Sequence, residues 1–140
     1  MFGARGEVDP IRFLLGAASV WGGNPEKDAT YLNVFPQQND GKTVYRLLVP
    51  GNVPVDSFWS VSIYIGAGYF APNRLNAYSI NDITARKAAD GSVAIQFGGC
   101  DGEVPNCLPI TKGWNYLVRR YRPKAEILNG SWKFPVATVK

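Results

Sequence analysis

The stretch FWSVSIYI, residues Phe58–Ile65, decides the fold class of this chain. Apolar side chains occupy every second position, and serine or tyrosine stands between them. Successive side chains of a strand point to opposite faces of the sheet, so this alternation predicts a strand with one buried and one polar face. The predicted buried face consists of Trp59, Val61, Ile63 and Ile65. Such strands are typical of antiparallel sheets that cover a core on one side.

Further short runs rich in β-branched and aromatic residues follow the same pattern, and turn residues such as NDG, PGN and DG bound them. These runs are Thr43–Val49, Ala77–Ile83, Ser92–Phe97 and Trp114–Tyr121. The change to strand periodicity after residue 30 predicts a mainly β fold, an antiparallel sandwich or barrel. We expect one domain over residues 1–140, with the β-sandwich over about 30–140.

A helix is predicted before the strands. Asp9 is suited to the N-cap and Pro10 to the first helical position. Apolar residues then recur at helical spacing on one face: Ile11, Leu14, Leu15, Ala18 and Trp21. Because Gly22 and Gly23 follow, we expect an amphipathic helix over about residues 10–21 that lies on the core.

Composition narrows the possible functions. The 140 residues are 46% hydrophobic and 19% charged, and the net charge of the chain is +4, with all of the basic excess in residues 111–140. No apolar run approaches the about 20 residues that cross a bilayer, and the N-terminal residues lack the order of a secretion signal, so we expect a soluble chain. The chain has no histidine, which excludes Ser-His-Asp triads and histidine metal ligands. No cofactor is indicated.

The two cysteines lie in GGCDGEVPNCLPI, residues Gly98–Ile110. A structural zinc site needs about four nitrogen or sulfur ligands, so we predict no metal. The spacing is not that of a C-x-x-C redox pair. We predict a disulfide between Cys100 and Cys107, which would favour a periplasmic or exported location; two unpaired thiols in a reducing compartment are the alternative.

Several strings together resemble a known family. VDSFWSVSIY, APNRLNAYSIND, ADGSVAIQF, NCLPITKGWNYLVRRYRPKAEI and GSWKFP occur in the order found in the bacterial Domain of Unknown Function 1214 family. The resemblance extends from about Val8 to Val136 and is greatest to a subgroup in which the domain stands alone. It implies a β-sandwich of jelly-roll type, and it implies no established reaction.

Three groups of residues are candidate sites. The first is Arg74, Asn76 and Tyr78 in APNRLNAYS, whose Asn and Pro residues are also typical of turns. The second is WNYLVRRYRP, in which arginines interleave with aromatic residues; this pattern fits single-stranded nucleic acid, or a basic edge strand that blocks sheet association. The third is the cysteine loop with Asn106 and Lys112.

Strand alternation separates two residues of the second group. Trp114 and Arg119 have opposite parity, so we place Trp114 in the core and Arg119 at the site. Asp56 and Asp82 adjoin strands, but nothing in the sequence brings them together as a glycosidase pair.

The leading hypothesis is a small-molecule or glycan binding or accessory module without chemistry of its own. Arg74 or Arg119 would hold an anionic group, Asn76 and Asn106 would supply polar contacts, and Tyr78 would form an apolar wall. The alternative is a histidine-independent enzyme that uses a carboxylate or a tyrosine with arginine support. A third hypothesis is nucleic-acid binding through the basic C-terminal third.

Overall fold

The computed structural model describes Gly6, residues 8–19 and residues 23–140. Within these residues the chain forms two helices and eight strands. In chain order they are α1 (Pro10–Ser19), β1 (Ala29–Val34), β2 (Tyr45–Val49), β3 (Trp59–Tyr64), β4 (Ser79–Asn81), β5 (Val93–Phe97), β6 (Cys107–Leu108), β7 (Asn115–Tyr121), α2 (Ala125–Leu128) and β8 (Thr138–Val139). Neither helix is long and apolar enough to cross a membrane.

The strands form two four-stranded sheets. The first sheet has the order β1-β7-β3-β4, and the second has the order β6-β5-β2-β8. The prediction of a mainly β fold is confirmed, but the prediction of antiparallel pairing is wrong for one pair, since β5 and β6 are parallel. After β5 the chain turns at Gly98 and Gly99, both with positive φ. The loop that follows brings Cys107 beside Gln96, and β6 then runs parallel to β5.

The buried faces of both sheets share one hydrophobic core. On β3 the predicted alternation is confirmed, because Trp59, Val61 and Ile63 are all buried. Phe97 of the second sheet stacks on Tyr116 of the first, with ring centroids 4.9 Å apart. Two sheets around one core agree with the predicted sandwich. The jelly-roll topology is not confirmed, since a jelly roll is built from antiparallel Greek keys and β5–β6 is a parallel pair.

Strand β1, which the sequence pattern did not indicate, covers one edge of β7. It pairs with β7 along its whole length, from Ala29 opposite Tyr121 to Val34 opposite Tyr116. On its other side β7 pairs with β3. Strand β7 is therefore internal to the first sheet, and its interpretation as a basic edge strand is wrong.

Helix α1 begins where the sequence predicts. The Asp9 carboxylate accepts a hydrogen bond from the backbone N–H of Ile11 at 3.0 Å, as an N-cap residue does. However, Ile11, Leu14 and Leu15 are 69%, 69% and 61% exposed, so these side chains do not lie on the core as expected. The two sheets already bury each other's apolar faces. The expected end of the helix at Trp21 lies outside the described residues.

Tyr116 provides a test of the shared core. Its side chain is fully buried, its hydroxyl accepts the N–H of Ala137 at 3.0 Å, and burial raises the pKa of the phenol. The unfolded chain loses this proton first, so the contribution to stability is complete below about pH 10 and declines as the pH rises further. In urea unfolding, we expect Tyr116→Phe to lower the free energy of unfolding at pH 7 by about 1 kcal/mol, because Ala137 loses its acceptor.

The same variant should lose stability less steeply than the parent above about pH 10. Tyr121→Phe is the matched control, because it keeps the ring that stacks on Phe58 at 4.4 Å. It should match the parent at pH 7. Unchanged stability of Tyr116→Phe at pH 7, with the parent's alkaline decline, would contradict the buried hydrogen bond.

Candidate functional site

A disulfide closes the cysteine loop, residues 100–107, and hydrogen bonds to Asp101 stabilise its interior. Cys100 and Cys107 form a disulfide with their Cα atoms 5.7 Å apart. Inside the loop the Asp101 carboxylate accepts the N–H groups of Val104 at 3.0 Å and Glu103 at 2.9 Å, and these two bonds lower the pKa of Asp101. The loop is therefore a fixed structure on the protein surface.

The segment APNRLNAYS packs beside this loop. Arg74 donates from Nη2 to the carbonyl oxygen of Cys100 at 3.4 Å. The side chain of Asn73 accepts the N–H groups of Leu75 and Ala77, at 3.2 and 3.1 Å, and so fixes the turn. Asn76 is exposed with a φ of 50°, which suits the turn interpretation of this asparagine.

The half-buried side chain of Asn106 is held by three hydrogen bonds. Its Oδ1 accepts the backbone N–H of Arg86 at 2.9 Å, and its Nδ2 donates to the carbonyls of Arg86 at 2.8 Å and Ala94 at 3.2 Å. Both donors and one acceptor position of the amide are thus engaged. The side chain thereby ties residue 86 to β5.

Arg119 lies on the outer face of the first sheet, as its parity predicts. Its guanidinium donates from Nη2 to the Tyr64 hydroxyl at 2.7 Å and from Nη1 to Ser62 Oγ at 3.2 Å. Ser62 donates in turn to Ser79 Oγ at 2.9 Å, and Ser79 donates to the Val61 carbonyl at 3.2 Å. This chain fixes the direction of each hydroxyl, so Ser62 presents a lone pair to the arginine.

Three stacked rings continue from this arginine across the surface. Tyr64 stacks on Phe70 with centroids 5.0 Å apart, and Phe70 stacks on Tyr78 at 5.1 Å. We call Tyr64, Phe70 and Tyr78 the aromatic row. The Arg119 Cζ lies 5.9 Å from the Tyr64 ring centroid, within range of a cation–π contact.

A tight turn after β3 brings Phe70 onto the row. The N–H of Gly68 bonds to the Ile65 carbonyl at 2.8 Å, and the N–H of Ile65 bonds to the Tyr69 carbonyl at 2.9 Å. Gly68 has a φ of 83°, which glycine adopts without strain. Sequence analysis missed Tyr64 and Phe70 as site residues; the available signal was that Tyr64 shares the parity of Ser62 on the polar face of β3.

The structure brings together only part of the predicted site. Arg119 and Tyr78 belong to one surface through the aromatic row, whereas Arg74 lies at the cysteine loop. Among the hydrogen bonds and ring contacts of the described residues, none joins Arg74 or Asn106 to Arg119.

The three arginines of β7 and its end do not form one basic stripe. Arg119 lies on the outer face, and Arg120, with opposite parity, is directed inward and is half-buried. Burial lowers the pKa of the Arg120 guanidinium. Arg122 is exposed beyond the strand, where the chain has a φ of 51°. This arrangement gives no continuous row of phosphate contacts.

The two aspartates considered for catalysis belong to separate contacts. Asp56 pairs with Lys124 at 3.5 Å. Asp82 accepts the backbone N–H of Trp59 at 3.2 Å and lines a cavity of about 220 Å³. In the part of the chain that the structure describes, no group of three or more His, Cys, Asp or Glu residues is placed to hold a metal ion.

The fold and this surface can be compared with known proteins. Residues 31–125, which include the aromatic row and Arg119, match the family described as "Protein of unknown function (DUF1214)". The chain belongs to the DUF1214 family. None of the curated proteins matches it.

Two solved structures are similar to this DUF1214 member. The VPA0106 protein from Vibrio parahaemolyticus is 25% identical with a TM-score of 0.75, over 89% of this chain and 33% of that chain. An uncharacterized protein from Burkholderia cenocepacia is 17% identical with a TM-score of 0.48, over 85% of this chain and 30% of that chain. The DUF1214 member thus spans about a third of the length of each of these proteins.

The disulfide predicts a response to reductant. Closing a loop of this length restricts the unfolded chain, so reduction should lower the free energy of unfolding of this DUF1214 member by about 2.5 kcal/mol. Urea unfolding with and without dithiothreitol measures the loss, and intact mass under non-reducing conditions should show no free thiol. The double variant Cys100→Ala, Cys107→Ala is the control and should not respond to reductant. Two reactive thiols in the folded, air-exposed parent would refute the disulfide.

Proposed function

We propose that this DUF1214 member is a binding module without chemistry of its own, and that its ligand is a small polar molecule with an anionic group, such as an acidic sugar. The ligand lies on the aromatic row, and its anionic group faces Arg119. The observation that carries the proposal is the environment of Arg119. Its partners are the neutral hydroxyls of Tyr64 and Ser62, so no carboxylate of the described residues neutralises its charge.

The aromatic row supports the same proposal. Phe70 is 47% exposed although its ring stacks on both Tyr64 and Tyr78, so the aromatic row presents an apolar surface to solvent. An apolar wall beside a few placed polar groups is what small-ligand sites present. The guanidinium still has N–H groups for a paired contact with a carboxylate, because the described residues engage two of its nitrogens with one bond each.

Three of the aspartates are poorly suited to acid–base catalysis. Asp40, Asp90 and Asp101 accept hydrogen bonds from nearby turn residues, and these bonds lower the pKa of each group. They stay ionised at neutral pH and hold turns, so they are poor proton donors.

One contact favours a second candidate function. The Tyr64 hydroxyl lies 2.7 Å from Arg119 Nη2, which is the tyrosine with arginine support that a histidine-free enzyme would use. Tyr64→Phe separates the two functions, because it keeps the ring stack and removes the hydroxyl. A binding module retains most of its affinity in this variant, whereas an enzyme keeps binding and loses turnover.

We also propose a periplasmic or exported location for the domain. The support is the Cys100–Cys107 disulfide, since disulfides persist in oxidising compartments.

The binding proposal is tested with a panel of acidic monosaccharides, beginning with glucuronate, by isothermal titration calorimetry. We expect Arg119→Gln to weaken the affinity at least about tenfold through loss of the charge-assisted bonds, and Phe70→Ala to weaken it through loss of the apolar wall. Arg122→Gln removes an exposed arginine outside the aromatic row and should bind as the parent does. Glucose should bind more weakly than glucuronate.

Two results would contradict this site. One is binding of an acidic sugar that is equal in the parent, Arg119→Gln and Phe70→Ala. The other is an equal loss in Arg122→Gln, which would show that general surface charge determines the affinity.

A further inference from the structure

The outer face of the second sheet carries a separate groove with two cationic side chains. Its volume is about 270 Å³. Its lining includes Arg46, Ala94, Gln96, Val104, Pro105 and Lys140. It lies on the other sheet from the aromatic row, so the two surfaces are distinct.

Both cations of the groove lie near one buried amide, the side chain of Gln96. Arg46 of β2 and Gln96 of β5 are directly opposite each other across the two strands. Lys140 donates from Nζ to Gln96 Oε1 at 2.8 Å. Arg46 and Lys140, whose backbone N–H bonds to the Val44 carbonyl, both lie on the β2 side of β5.

The orientation of Gln96 is fixed by the start of the cysteine loop. Its Nε2 donates to the carbonyls of Gly98 at 2.9 Å and Gly99 at 3.3 Å, and the residue is only 9% exposed. Its oxygen must then face Lys140. The fixed oxygen of Gln96 holds the Lys140 ammonium in place. This lowers the entropy cost of binding a ligand through this lysine.

The remaining wall and the charge balance indicate the kind of ligand. Val104 and Pro105 form an apolar wall on a loop that the disulfide and Asp101 hold in place. Among the residues that the structure describes, no acidic side chain lines the groove. Arg46 is exposed and makes no ion pair with a carboxylate of the described residues.

We propose that this groove binds the oxyanion group of a small organic molecule, a phosphate or a carboxylate, between Arg46 and Lys140. The anion relieves the repulsion between two neighbouring cations and accepts charge-assisted hydrogen bonds from both. The apolar part of the molecule packs on Val104 and Pro105. Inorganic phosphate alone binds more weakly, because it leaves this wall uncovered.

The test is an NMR titration of the ¹⁵N-labelled protein at constant ionic strength, followed at the side-chain signals of Gln96 Nε2 and Arg46 Nε. The probes are inorganic phosphate, phenyl phosphate and benzoate. We expect phenyl phosphate or benzoate to move both signals and to bind more tightly than inorganic phosphate; the tighter of the two identifies the oxyanion. Arg46→Gln and Lys140→Gln should each weaken the affinity at least tenfold.

Two control variants make the test specific. Lys112→Gln removes an exposed lysine outside the groove, and Arg122→Gln removes an exposed arginine that belongs neither to the groove nor to the aromatic row. Both should bind the probe with the parent's affinity. The proposal is overturned if no probe moves the Gln96 and Arg46 signals, or if Lys112→Gln weakens binding as much as the groove variants do.

Discussion

The contact between Phe97 and Tyr116 is the interaction on which the rest of the structure depends. Both rings are fully buried, and Trp114 packs beside them with its centroid 5.0 Å from that of Phe97. Such large side chains dominate the energetics of a core. Because Tyr116 must face the second sheet, strand parity directs Val118 inward as well and leaves Arg119 on the outer face. The packing of Tyr116 in the core thus determines that the positive charge of Arg119 lies at the candidate site.

Once Arg119 is on that face, the neighbouring strand supplies its partners. Ser62 is a buried polar residue at 4% exposure, and it is satisfied because it accepts from Arg119 and donates to Ser79. Buried polar groups are costly unless such bonds are complete. The same bonds hold the guanidinium against Tyr64 before any ligand arrives, which reduces the ordering cost of binding.

The sequence predicted what depends on local pattern. Alternation located β3 and placed Trp114 in the core and Arg119 at the surface, and the helix start at Asp9 followed from its cap. What the sequence did not predict depends on contacts between distant residues. Strand β1 has no clear alternation, with Tyr31 and Leu32 both half-buried, and it is defined by pairing with β7. Phe70 does not belong to a run of apolar residues with strand or helix periodicity. Its place in the aromatic row depends on a turn at Gly68 and on Tyr78 of a separate segment.

The aromatic row beside Arg119 is already assembled in the free protein. Nuclear Overhauser effects between side-chain protons of the ligand-free protein in solution test it most directly. We expect effects from the Phe70 ring to both the Tyr64 and the Tyr78 rings, and from the Arg119 side chain to the Tyr64 ring. A spectrum of the folded protein in which Phe70 contacts neither tyrosine, and Arg119 does not contact Tyr64, would contradict it.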